Sequence, residues 1–216
     1  MAVKIITISV CIILLYTKNI GIWFKTLNTF FHESFHAIVS LILGNKVKEI
    51  EFDLKAEGSC ISVSKSKFRT VLSSLAGYIG CALISLFFIF CISKDLSQLA
   101  ITVISIYSFL ILLLYIKKTY ALVWTICFAC INLLVILLPT PISIKNLILF
   151  IYATIILIEN THSCFIILYL SLFKRKKSGD CTLLAKITKI PPFVWAIVFN
   201  AINLWVVYQF FVINFL

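Results

Sequence analysis

Residues 30–52 read FFHESFHAIVSLILGNKVKEIEF, and two structural periods meet inside that stretch. Up to Leu43 it is apolar enough for a bilayer, yet it carries His32, Glu33 and His36. From Lys46 onward apolar and polar residues alternate, which is the period of a half-buried strand. Ionisable groups within a membrane helix are expensive, so they call for a compensating partner and mark a functional site by default. Histidines four residues apart lie one above the other on one helix face, where both imidazoles can reach a single ion.

Outward from this stretch the chain reads as a membrane protein. Of its 216 residues 62% are hydrophobic and only 12% charged, whereas soluble domains are about half apolar. The excess falls in long runs, approximately 3–23, 26–44, 70–93, 97–116, 119–138, 146–173 and 191–214. The first run follows Lys4 without a small-residue cleavage site, so it reads as a retained helix. The expected fold is therefore an all-α polytopic membrane protein with six to seven transmembrane helices. A small cytoplasmic β-hairpin over 47–64 follows the second helix, with Gly58 at its turn. Residues 174–190 form a basic linker and a brief amphipathic helix, and Pro191-Pro192 opens the last run. The whole of 1–216 reads as one domain.

The formal charge of +11 suggests nucleic acid at first sight, but its distribution excludes that reading. If all seven runs cross, Lys4, the six basic residues of 46–69, Lys117, Lys118 and the six of 174–189 share one side. Only Lys18, Lys25, Lys94 and Lys145 fall on the other. Such a bias places the N-terminus, the hairpin and the linker in the cytoplasm, facing anionic headgroups, with the cell (plasma) membrane as the expected location. The eight cysteines lie mostly within apolar runs and behave as small hydrophobes. The Cys127/Cys130 pair lacks the second pair or histidine that a metal site needs.

The chemistry concentrates at His32-Glu33-Ser34-Phe35-His36, an HExxH pattern. Two imidazoles on one face suit Zn²⁺, and the glutamate beside them can take a proton from a water that the ion activates. Further patches carry a resemblance: HESFHAIVSLILGNKVKEIEF, GSCISVS at 58–64, LAGYIG at 75–80 and SGDCTLLAKITKIPPFVWAIVF at 178–199. Together they resemble the intramembrane zinc metallopeptidases related to site-2 protease, in particular the short B-like branch. That likeness implies a polytopic zinc protease that cuts membrane-anchored proteins within or near the bilayer. It also implies Asp180 as the third ligand, although Gly179-Asp180-Cys181 stands where the branch reads Ser-Asp-Ala. By the same likeness Asn160 hydrogen-bonds the substrate backbone.

Depth offers another third ligand. At about 1.5 Å per residue, His36 and His32 lie roughly 12 and 18 Å from an inner helix end near residue 44. His162 lies roughly 16 Å from an inner end near residue 173 by the same rise. Glu159 shares its face at i, i+3, so the third-ligand candidates fall in 159–180: Asp180, His162 and Glu159. Polar residues in lipid also form plain interhelical clusters, which would account for Glu159, Asn160 and His162 without metal.

Small residues in SSLAGYIGCA form two rows, Ser73-Gly77-Cys81 and Ala76-Gly80, which allow close helix contact. The exposed hairpin edge can pair with an extended peptide. The partners expected are thus the lipid bilayer and a membrane protein's transmembrane or juxtamembrane segment, with no nucleic acid. A non-catalytic pseudoprotease or scaffold is the alternative, though a binding-only site has no need of Glu33. A proton or metal transporter is a weaker one, since no internal repeat of the spans is present.

Overall fold

A computed structural model describes all 216 residues. The chain runs α1 (Ala2–Tyr16), α2 (Ile20–Ile42), β1 (Lys46–Phe52), β2 (Gly58–Val63), α3 (Lys67–Ser93), α4 (Ser97–Tyr115), α5 (Thr119–Leu137), α6 (Ile142–Phe173), a 3₁₀ turn (Arg175–Lys177), α7 (Gly179–Thr188) and α8 (Pro192–Phe215). This is the mostly helical polytopic architecture with one hairpin that the hydropathy pattern predicts.

Five helices, α3, α4, α5, α6 and α8, are each long and apolar enough to cross a membrane. Neither α1 nor α2 qualifies as a span by itself. α1 and α2 meet at a bend of 104° and qualify together as one broken span or a re-entrant loop, so the candidate spans number five to six. Asn19 adopts φ 69° at that corner. Gly21 makes the close approach possible, because a Cβ there would collide with the Leu15 carbonyl. Lys4 Nζ donates to the Asn214 carbonyl oxygen near the end of α8. The chain therefore starts at the end of the bundle opposite the hairpin and the 174–190 linker. The expectation that the N-terminus shares their side of the membrane took α1 and α2 as two separate crossings. The charge bias survives, because the six basic residues of 46–69, the Lys117-Lys118 pair and the six of 174–189 stay together.

Local sequence explains the element ends. Ser66 caps α3, its hydroxyl accepting from the Arg69 amide at 3.3 Å. Pro192 occupies the first turn of α8, where its missing N–H is no loss. β1 and β2 pair antiparallel with Phe52 opposite Gly58, and a bulge lies between Val47 and Glu49. The hairpin's turn is 53–57 rather than Gly58: Asp53 Oδ1 accepts from the amides of Lys55 at 2.8 Å and Glu57 at 3.2 Å. Val47, Ile50 and Phe52 are buried against the bundle, so the hairpin is pinned by its apolar face.

Asparagines hold α3, α6 and α8 together. Asn160 Nδ2 donates to the Tyr78 carbonyl at 3.1 Å and to Asn203 Oδ1 at 2.8 Å, while Asn200 Nδ2 donates to the Cys164 carbonyl at 2.7 Å. In lipid such bonds act as interhelical glue.

Candidate metal centre

Two helices deliver three donor atoms to one point. α2 carries His32 and His36 one turn apart. The 3₁₀ turn doubles the chain back after α6, so that Asp180, in the first turn of α7, faces them. The Nε2 atoms of His32 and His36 are 3.1 Å apart, and Asp180 Oδ2 lies 3.3 Å from each. These three residues form a group able to hold a metal ion. Tetrahedral zinc, with bonds of about 2.0–2.2 Å, separates neighbouring ligand atoms by about 3.3–3.6 Å. The observed triangle lies at the short end of that range, and all three residues line one cavity.

The surroundings prepare the donors. His36 Nδ1 lies 2.6 Å from the Ser73 carbonyl oxygen, which can only accept, so Nδ1 carries the proton and Nε2 presents its lone pair. The His32 ring packs edge-on against Tyr78 at 4.5 Å between centroids. Burial pushes the Asp180 carboxyl upward, but the His36 and His32 rings outweigh it and hold the group well below the usual carboxylate range. Asp180 thus offers an anionic oxygen beside two imidazole nitrogens.

Close packing depends on two glycines. A Cβ on Gly77 would lie 2.5 Å from His32 Nε2 and 2.6 Å from His36 Nε2. A Cβ on Gly58 would lie 2.8 Å from Glu33 Oε1. The Ser73-Gly77-Cys81 row therefore packs directly on the donor face, and β2 opens over Glu33. Gly77→Ala is expected to displace both rings and weaken metal retention about tenfold or more, as losses around a ligand shell do. Metal content of the purified protein tests this, and unchanged retention would mean that the rings do not pack against α3.

Glu33 is 6% exposed and outside the donor triangle, yet it lines the same cavity of about 810 Å³. Only four of that cavity's twenty lining residues are hydrophobic, and it takes in the Thr29 and Gly58–Cys60 region of the hairpin mouth as well as Ser73, Tyr78 and Ser163. The chamber is thus lined mainly by polar groups.

The remaining candidates from the sequence lie apart. Glu159 Oε1 is 3.8 Å from Lys25 Nζ and 3.6 Å from His162 Nδ1, and the Tyr16 ring has the Lys25 ammonium over its face and meets His162 edge-on. They form a second polar cluster at the α1–α2 corner. Asn160 is fully buried in the α3–α6–α8 contact rather than at the cavity. Cys127 and Cys130 sit on α5 as free thiols. Sequence reading missed Asn28, which lines the cavity; its position one turn before His32 was the available signal.

A family profile described as Peptidase M50B-like matches residues 5–210. The chain belongs to that family. No curated protein and no solved structure matches it significantly. Membership of the Peptidase M50B-like family supports a membrane metallopeptidase-related function, in keeping with a possible three-donor metal site and helices long enough to span a bilayer.

Proposed function

We propose that this protein is an intramembrane zinc endopeptidase that cleaves membrane-anchored proteins in or near the bilayer. The observation that carries the reading is the triangle of His32 Nε2, His36 Nε2 and Asp180 Oδ2 at tetrahedral spacing beside a buried glutamate. His32, His36 and Asp180 would hold the ion. When bound, zinc supplies a Lewis acid that polarises the scissile carbonyl and acidifies the attacking water.

The protein's own groups do the rest. The Glu33 carboxylate accepts the proton of the attacking water and afterwards passes it to the leaving amine nitrogen. Ser73, through its carbonyl, keeps the His36 ring in one tautomer and orientation. The hairpin edge beside the cavity can take up an unwound substrate segment by strand pairing. The basic bias supports a cytoplasmic position for the hairpin, the linker and the cavity mouth.

The test is cleavage of single-span substrates by the full chain in proteoliposomes. Chelation by 1,10-phenanthroline is expected to abolish cleavage and added zinc to restore it. Cleavage indifferent to the chelator would defeat the proposal.

A further inference from the structure

Among the cavity's lining residues, one carries a buried polar atom that has no partner and that the proposed chemistry does not use. Asn28 is 5% exposed, lines the chamber, and its Oδ1 has no hydrogen-bond partner. It precedes His32 by four residues on α2, so Asn28, His32 and His36 form one row along the helix face. The neighbouring row continues from Thr29 to Glu33, but Thr29 is already committed, its hydroxyl donating to the Ala56 carbonyl at 2.7 Å. On the far side, Cys81 Sγ approaches the Asn28 backbone carbonyl at 3.6 Å and leaves the side-chain amide free.

A buried amide without a partner loses the hydrogen bonds it would make in water, and such groups in folded proteins require an explanation. An extended peptide offers the complement: a carboxamide both donates and accepts, and each peptide unit presents one N–H and one C=O. A hairpin edge can align a strand along the chamber, and residues in a strand repeat at about 3.3 Å. One helical turn is about 5.4 Å, so a peptide group one to two residues from the bond at the metal comes level with Asn28.

Resting on the zinc-peptidase reading, we infer that Asn28 is a substrate-backbone binding residue, forming a subsite that takes one peptide group of an unwound substrate adjacent to the scissile bond. The sequence resemblance assigns this role to Asn160, whose Oδ1 is also without a partner but whose Nδ2 is committed to Tyr78 and Asn203 and which does not line the cavity.

Two hydroxamates test it on the zinc-loaded full chain in nanodiscs, since both chelate the ion but only one carries a peptide backbone. Asn28→Leu, similar in volume but unable to hydrogen-bond, is expected to weaken a peptidyl hydroxamate about tenfold, the range for one lost hydrogen bond. Acetohydroxamate affinity and zinc stoichiometry should not change. If the leucine variant does not fold, Asn28→Ser, smaller and still polar, carries the same comparison. Equal loss for both probes, or no loss for the peptidyl probe, overturns the subsite while leaving the metal centre standing. If neither hydroxamate binds the zinc-loaded wild type, the peptidase reading fails and the subsite fails with it.

Discussion

Glu33→Gln is expected to keep its zinc and lose proteolysis, with the cleavage rate falling by about 10²–10⁴, the usual contribution of a positioned acid–base group. The argument is geometric. Glu33 follows His32 directly and borders the same chamber, but it lies outside the three-donor group. Glutamine preserves the shape that packs beneath Gly58, where free space is small. It also preserves hydrogen bonding, so the hairpin stays seated. What it cannot do is accept the proton of the attacking water. Zinc content by elemental analysis and cleavage in proteoliposomes would be read on the same sample. Zinc lost together with activity would make Glu33 a ligand or a structural prop. Activity retained would remove it from the mechanism. A scaffold that merely keeps the fold predicts a third pattern, no cleavage by either protein.

The sequence exposes some of this site and hides the rest for a definite reason. His32, Glu33 and His36 are legible because one helix carries all three, and helical spacing alone fixes their common face. Depth is legible too, since rise per residue converts position into distance. Rotation about the axis of a different helix is not. His162 is level with the motif by that measure, yet its ring packs against Tyr16, while its neighbour Ser163 lines the cavity. One residue turns a helix face by about 100° at 3.6 residues per turn, enough to send a side chain from one helix contact to another. Asp180 presents the converse case. It lies beyond α6 in sequence and returns because the Arg175–Lys177 turn reverses the chain, with the Ser178 and Thr182 hydroxyls both bonded to the Arg175 carbonyl at 3.2 and 2.7 Å. Short-range periodicity cannot register such a reversal. The α1–α2 corner escaped the hydropathy pattern similarly, because YTKNIG interrupts an apolar run too briefly to separate a break from a loop between two spans.

Asp180→Ala is expected to lower zinc affinity by about 100-fold or more, above the loss usual for a merely supporting residue, whereas His162→Ala should leave it unchanged. Asp180 contributes the only negative charge in the donor triangle, and without it two neutral imidazoles must hold a dication alone. Its place opposite both Nε2 atoms, 3.3 Å from each, leaves no other carboxylate in that group. Glu159, the competing carboxylate, already faces a cation in Lys25 at 3.8 Å and His162 at 3.6 Å, so recruiting it would leave Lys25 uncompensated at membrane depth. Asp180→Asn separates charge from geometry: it keeps an oxygen donor and should bind zinc between the wild type and the alanine variant. Competition with a chromogenic chelator measures all three on protein whose helix content is unchanged. If His162→Ala sheds the metal and Asp180→Ala retains it, the third ligand belongs to α6, and α7 must serve only to close the chamber.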